Sequence, residues 1–239
     1  LKNEALLPAI LDPWAAHALY EAAHLAAKSP GSKVRLVSLG PKNKLQQVMM
    51  TVAQKAAFEF VAIDGPAGGF TEAHDAASAL AGAIRSFPDL DMGRLLLFGG
   101  WESASRGAGA TMQMLGEQLG IVDQFQGVDE LRVREDGALE ILERIEGGRH
   151  QASVCVGPPA VLGWATGNLP EPRNNPQIGM ANLRSIMPAL QKAKAAPPGG
   201  DGARFVRTAL PRQQRETRVV KDLPPEAVAR EIAAWISRD

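Results

Sequence analysis

Cysteine is nearly absent: Cys155 is the only one among 239 residues. That excludes an intrachain disulfide, a CxxC redox motif and a cysteine-based metal site. It fits a reducing compartment, and the expected location is the bacterial cytoplasm. An excess of charge of either sign is also absent. Lys plus Arg and Asp plus Glu both number 26, so no broad basic field exists to hold nucleic acid or an anionic membrane. No apolar run approaches the roughly 20 residues of a membrane-spanning helix. The N-terminal Leu1-Lys2-Asn3-Glu4 carries no signal-peptide pattern. Catalytic signatures are missing too. No Gly-Lys-Ser/Thr, no GxGxxG and no G-x-S-x-G occurs around the serines and glycines at 103–111. His17 and His24 are seven apart on one predicted helix, too far to share a metal, and the remaining histidines are dispersed. A Glu143, Glu146 and His150 group reads as the solvated end of a hairpin. No residue set is assigned catalytic chemistry.

What is present is a regular alternation. Apolar residues make up 45% of the chain, enough for a sizeable core. Asp12 suits an N-cap and Pro13 the first helical position, predicting a helix through Ala27. Val34–Leu39 reads as a strand and residues 43–57 as a helix. Phe58–Ile63 reads as a second strand, and a helix capped by Thr71 follows. Leu95–Phe98 is a third, fully apolar strand, followed by a helix from Gly107 to Leu119. Such βα alternation implies a doubly wound, mostly parallel α/β sheet of the adenine nucleotide alpha hydrolase type. It opens on a helix, whereas such sheets open on a strand, so one strand is expected ahead of that helix. The alternative is a sheet that begins at Val34. After Ile121 the pattern changes to an added β-hairpin (131–145) and further strands at 153–156 and 161–165. Residues 168–181, rich in Pro and Asn, read as loop. A C-terminal arm then ends in a helix bearing Val228, Ile232 and Trp235 on one face. The expected division is residues 1–167 for the α/β domain, 168–194 for a recognition loop and 195–239 for the arm.

The stretch Ser103–Thr111 follows an apolar strand and opens a helix. Backbone N–H groups at a helix N-terminus attract phosphate, and glycines let a ligand approach closely. Arg106 would add charge-assisted contacts. The competing reading is a Gly/Ala-rich helix start chosen for packing. Trp14 reads either as core or as a neighbour of an aromatic cofactor. Leu183, Ile186 and Met187 form a small apolar cluster at helical spacing, either an interaction anchor or a helix packed on its own domain.

Several motifs, in order, resemble the beta subunit of electron-transferring flavoproteins. Asp12-Pro13-Trp14 is similar to the family's Asn-Pro-Phe, and Ser38-Leu39-Gly40-Pro41 to its Ser-x-Gly-Pro strand end. Thr111-Met112-Gln113-Met114 is similar to the helix after its nucleotide loop. Glu146-Gly147-Gly148 and Pro159–Leu162 resemble its signature, and Glu171-Pro172-Arg173 with Asn182–Met187 its partner-recognition loop. The resemblance implies a non-catalytic electron carrier that pairs with an alpha subunit. One FAD is shared with that subunit, and AMP is the usual occupant of the beta subunit. Electrons would pass from a flavin dehydrogenase toward a quinone oxidoreductase-like acceptor. Trp14 would lie near the flavin. Leu39, Gly40, Ser105, Arg106, Gly107, Gly109, Ala110 and Thr111 would line the nucleotide site. Asn182, Leu183, Ile186 and Met187 would meet the dehydrogenase, with Leu183 as anchor. The chain departs from the family at Gln54–Phe58, at Arg106, Gly109 and Ala110, and by an insertion near Asn174–Gly179. Of the phosphate-contacting side chains only Thr111 remains, so AMP, another nucleotide or no nucleotide all stay open. The rival reading is a stand-alone adenine-nucleotide sensor or a scaffold domain.

Overall fold

The computed structural model describes residue 3 and residues 6–66, 71–104, 106–197, 199–200, 206–207, 209–210 and 219–237. Two compact units are present, Leu1–Arg204 and Phe205–Asp239.

In the first unit the chain runs α1 (Pro13–Lys28), β1 (Arg35–Gly40), α2 (Lys42–Val52), β2 (Glu59–Asp64), α3 (Ala73–Arg85) and β3 (Leu96–Gly100). It continues through α4 (Thr111–Leu119), β4 (Gln124–Val133), β5 (Leu139–Ile145), β6 (Arg149–Cys155), β7 (Ala160–Trp164), α5 (Pro176–Lys192) and β8 (Lys194–Ala195). The fold is a parallel-dominated α/β arrangement of the doubly wound kind. Strands order as β1-β2-β8 in one sheet and β3-β7-β4-β5-β6 in the other. β1, β2 and β8 are parallel, as are β3, β7 and β4, whereas β4-β5-β6 are antiparallel.

Alternate residues of a strand face opposite sides, and the apolar clusters follow that rule. On one side Leu36 of β1 packs with Leu19, Tyr20, Met49, Phe60 and Ile186. Leu96 and Phe98 of β3 pack with Ala18, Leu162 and Trp164 on that same side. On the other side Val37 of β1 and Leu97 of β3 share one cluster with Ala77, Ala81, Ile84, Met112 and Leu115. Helix α1 thus underlies both sheets on one face, and α3 spans them on the other. The two sheets form one layer.

Local signals explain most element ends. The Asp12 carboxylate accepts the Trp14 N–H at 3.0 Å and Pro13 sits in the first turn of α1. Gly120, at φ +72°, ends α4 in the left-handed conformation. Several boundaries differ from the sequence reading: α2 ends at Val52 rather than residue 57, and the N-cap of α3 is Glu72 rather than Thr71. α4 begins at Thr111, not Gly107. The stretch read as loop to Ala181 becomes helix at Pro176, because the Asn175 side chain accepts the N–H groups of Gln177 and Ile178 at 3.0 and 3.4 Å. Ala195, at the expected start of the arm, pairs in β8 beside Asp64.

The second unit contains α6 (Pro225–Ile236). Val228, Ile232 and Trp235 lie three and four residues apart and are exposed.

Candidate functional site

The loop leaving β3 is built around its own backbone. Trp101 N–H donates to Trp164 O at 3.0 Å, and Ser103 N–H to Ala108 O at 3.0 Å. Gly107 N–H donates back to Ser103 O at 2.8 Å, and Gly107 holds φ +62°, where a side chain would be strained. A Cβ on Gly109 would stand 2.5 Å from Trp101 O, so only glycine lets the loop close there. Asp12 ties this loop to α1: its second carboxylate oxygen accepts Ala104 N–H at 2.9 Å. Trp14 sits beside it, its Cβ against Gly100, where an added Cβ would meet it at 2.9 Å.

The start of α4 carries no capping side chain. The first helical bond is Met114 N–H to Ala110 O, which leaves the N–H groups of Thr111, Met112 and Gln113 without an acceptor among the described residues. Among the described residues, buried polar atoms that also lack partners belong to residues at or just beyond the ends of these elements: Ser103 Oγ, the indole N–H groups of Trp14, Trp101 and Trp164, the last on the α1 face beside Gly167 and Glu21, and the Gln126 amide. Buried polar groups are normally paired. Five unpaired ones near the carboxyl ends of β3, β7 and β4, where open α/β sheets bind ligands, fit a polar guest. Arg106, at the rim, donates to Thr71 O at 3.4 Å. Beyond Thr71 opens a cleft at the ends of β1, β2 and β8, lined by Leu39, Pro66, Thr71, Asp75, Ala196 and Pro197.

The structure therefore brings Trp14, Arg106, Gly107, Gly109, Ala110 and Thr111 to one end of β3, with Leu39 across Thr71. Gly40 is buried and its carbonyl accepts Gly65 N–H at 3.4 Å. Ser105 lies outside the described residues.

The residues expected to meet a partner divide in two. Asn182 is buried, and its amide braces the turn after α2. Its Nδ2 donates to Ala53 O at 2.6 Å and Ala56 O at 2.7 Å, and its Oδ1 accepts Phe58 N–H at 3.2 Å. Ile186 is fully buried. Leu183 is half-buried, while Met187 and Met180 are exposed. The loop before α5 is pinned to the same turn. Lys55 Nζ lies 2.7 Å from Glu171 and donates to Pro172 O at 3.1 Å, and Asn175 N–H donates to Gln54 O at 2.9 Å. The Lys55 ammonium holds the Glu171 carboxyl below its ordinary range.

A family model for the electron transfer flavoprotein domain matches residues 3–197. The chain belongs to that family. No curated protein matches it. In this flavoprotein-family chain the matched region takes in the whole site above, from Asp12 to the end of α5.

One buried polar cluster near the site went unread in the sequence. Asp129, buried in β4, accepts Arg144 Nε and Nη2 at 3.0 and 2.9 Å, His150 Nε2 at 2.9 Å, and the N–H groups of Thr166 and Gly167 at 3.2 and 3.1 Å. Burial pushes the carboxyl pKa up, but these hydrogen bonds outweigh it and leave the value below the ordinary one. Asp129 thereby fixes the exit from β7 into the loop that leads to α5. The only trace in the sequence is an acid next to Val128, and β4 carries other polar residues (Gln124, Gln126, Glu130 and Arg132) that mask it. Among the described residues no group of three His, Cys, Asp or Glu is placed to hold a metal. No helix among them is long and apolar enough to cross a membrane.

Proposed function

We propose that this chain is the beta-type subunit of a heterodimeric electron-transfer flavoprotein. With an alpha-type partner it holds one FAD, accepts electrons from a flavin dehydrogenase and passes them toward a quinone oxidoreductase-like acceptor. The flavin supplies the electron-carrying chemistry. This chain's residues shape its surroundings and dock the donor.

The observation that carries the reading is the gathering of unspent buried polar groups beside Trp14 and the bare α4 N-terminus. A ligand phosphate fits the free N–H groups of Thr111–Gln113, the Ser103 hydroxyl and the Arg106 guanidinium. Trp14 then flanks the flavin held mainly by the partner, and Leu183 with Met187 forms the docking face of α5. Beta rather than alpha rests on the resemblance of Glu146–Gly148, Pro159–Leu162 and Asn182–Met187 to beta-subunit motifs.

Co-expression with an alpha-type subunit should give a yellow heterodimer with one flavin. In it, Leu183→Ala should keep the flavin and slow transfer from the dehydrogenase by about 30-fold at sub-saturating concentration, the effect of losing an anchor of about 2 kcal/mol. A colourless chain that ignores the alpha subunit would overturn the heterodimer, and unchanged transfer would remove the anchor. The cleft at Leu39 and the free α4 donors favour one other reading, an adenine-nucleotide sensor acting alone. Acid extraction and chromatography of the singly purified chain would reveal its nucleotide.

A further inference from the structure

β6 closes one end of its sheet: it pairs with β5 on one side and, among the described residues, with no strand on the other. In an antiparallel pair every second residue turns its N–H and C=O away from the neighbouring strand. The outer rim of β6 is therefore a row of backbone donors and acceptors open to another strand. Proteins guard such rims with lysine, proline, bulges or short length. β8, the outer strand of the other sheet, is guarded in this way. It is two residues long, carries exposed Lys194 and is soon followed by Pro197. β6 has none of these devices. It pairs with β5 over seven residues without a register shift. Residues 151–156 include no charge, glycine or proline, and Val154 and Val156 are 61% and 95% exposed. Arg149 stands only at the first position, and His150 is turned back onto Asp129.

The two faces of this part of the sheet are unequal. Leu139, Ile141 and Cys155 are buried on the side of Ala18 and Trp164. The opposite face carries a groove of about 330 Å³ lined by Glu130, Arg132, Glu140, Leu142, Ala152 and Val154. Its charges are already paired: Arg132 Nε donates to Glu130 at 2.6 Å, and Arg134 Nε to Glu140 at 2.7 Å. Toward β6 the groove has only Ala152 and Val154, and no further strand.

We propose that β6 is a self-association edge, on which two copies of this chain pair their β6 strands antiparallel about Ala152. The sequence of the strand is complementary to itself in that register. A two-fold axis at Ala152, the middle of β6, overlaps all seven residues and keeps the covered faces of both sheets on one side. It sets Arg149 against Cys155, His150 against Val154 and Gln151 against Ser153. Like charges directly opposite destabilise such a ladder, and none meet here. The row Glu130, Leu142, Ala152 continues across the seam as Ala152, Leu142, Glu130 of the second copy, so the two grooves join over an apolar floor with ion pairs at both ends. A seven-residue ladder is smaller than a standard interface, so the pair belongs to the weak, concentration-dependent class. It requires neither flavin nor nucleotide.

The test is cysteine trapping in the full 239-residue chain. A residue that faces itself across an antiparallel pair has its Cα atoms about 4.5–5.5 Å apart, within disulfide range. Only residue 152 does so in this register. The two copies of residue 151 stand about 8 Å apart, beyond that range. Under mild oxidation Ala152→Cys should form a disulfide-linked dimer at least about tenfold faster than Gln151→Cys. The wild-type chain should not cross-link, because Cys155 is buried with its thiol donating to Gly157 O at 3.1 Å. Sedimentation of the wild-type chain should show a dimer that grows with concentration. Val154→Lys, added to Ala152→Cys, places a guarding lysine at the seam twice in the symmetric pair and should slow trapping about tenfold; circular dichroism checks that the fold is kept. Equal trapping of Ala152→Cys and Gln151→Cys would mean random collision and overturn the proposal. A wild-type chain that sediments as a monomer throughout, or a folded Val154→Lys variant that is trapped as fast as its parent, would do the same.

Discussion

Replacing Asp129 with alanine removes one acceptor from five donors. The side chains of Arg144 and His150 are about two-fifths exposed (41% and 40%), so both can rehydrate once the carboxylate is gone. That discounts the ion-pair part of the loss toward the surface value of at most about 1 kcal/mol. The Thr166 and Gly167 N–H groups are less free to turn outward, since the neighbouring Ala165 N–H is held by Val128 O at 2.8 Å. Two stranded donors cost about 1 kcal/mol or more each. The expected loss for Asp129→Ala is about 3 kcal/mol, or a Tm lower by roughly 6–12 °C. Asp129→Asn keeps an oxygen for the two N–H groups and should lose about 1 kcal/mol. Urea titration followed by circular dichroism measures both. The carboxyl pKa is depressed in the folded state, so its contribution is complete above the unfolded value, near 3.9. It is lost as pH falls through the lower folded value. The gap between wild type and Asp129→Asn should therefore be constant from pH 7 to 5 and narrow below about pH 4. Both variants within about 0.5 kcal/mol of wild type, or a gap that widens in acid, would refute the account of this clamp.

Two further outcomes follow from the site. Asn182→Ala strands Ala53 O, Ala56 O and Phe58 N–H in a buried setting and should destabilise by about 3 kcal/mol in urea titration; a loss under about 1 kcal/mol would show that water replaces the amide. Gly109→Ala places a methyl against Trp101 O and should displace the 101–110 loop, lowering the flavin or nucleotide recovered per protein while costing about 1–3 kcal/mol of stability; full ligand recovery would detach the loop from binding.

The fold was legible where signals are local. Asp12-Pro13 announces α1 because the cap and the fixed φ of proline act within two residues. Asn175-Pro176 is the same signal, yet the surrounding prolines and asparagines drew the reading toward loop, and α5 was begun too late. The Asp129 clamp was invisible for another reason. Its partners stand 15, 21, 37 and 38 residues away, and no periodicity links a lone acid to donors at such separations. Asn182 looked like a surface contact because asparagine in a polar stretch usually is one. Its buried role depends on carbonyls 126 and 129 residues upstream.

That brace couples two departures that look independent in the sequence. Set against the beta-subunit motifs that the sequence resembles, the turn Gln54–Phe58 reads as one departure and the insertion near Asn174–Gly179 as another. In the fold they touch. Gln54 O takes the Asn175 N–H, and a Cβ on Gly179 would lie 2.7 Å from Gln54 Cγ. Asn182, one turn further along α5, closes on Ala53, Ala56 and Phe58, and Ser185 Oγ accepts Phe60 N–H at 2.8 Å. Asn182, Ile186 and Leu190 point inward four apart, which fixes the rotation of α5 and turns Met180, Leu183, Arg184 and Met187 toward the other side. A helix locked at that many points cannot rotate a different face outward without losing several buried hydrogen bonds. The docking face proposed for α5 is therefore positioned by the turn after α2 as much as by α5 itself, and on that proposal a change of partner requires the two segments to change together.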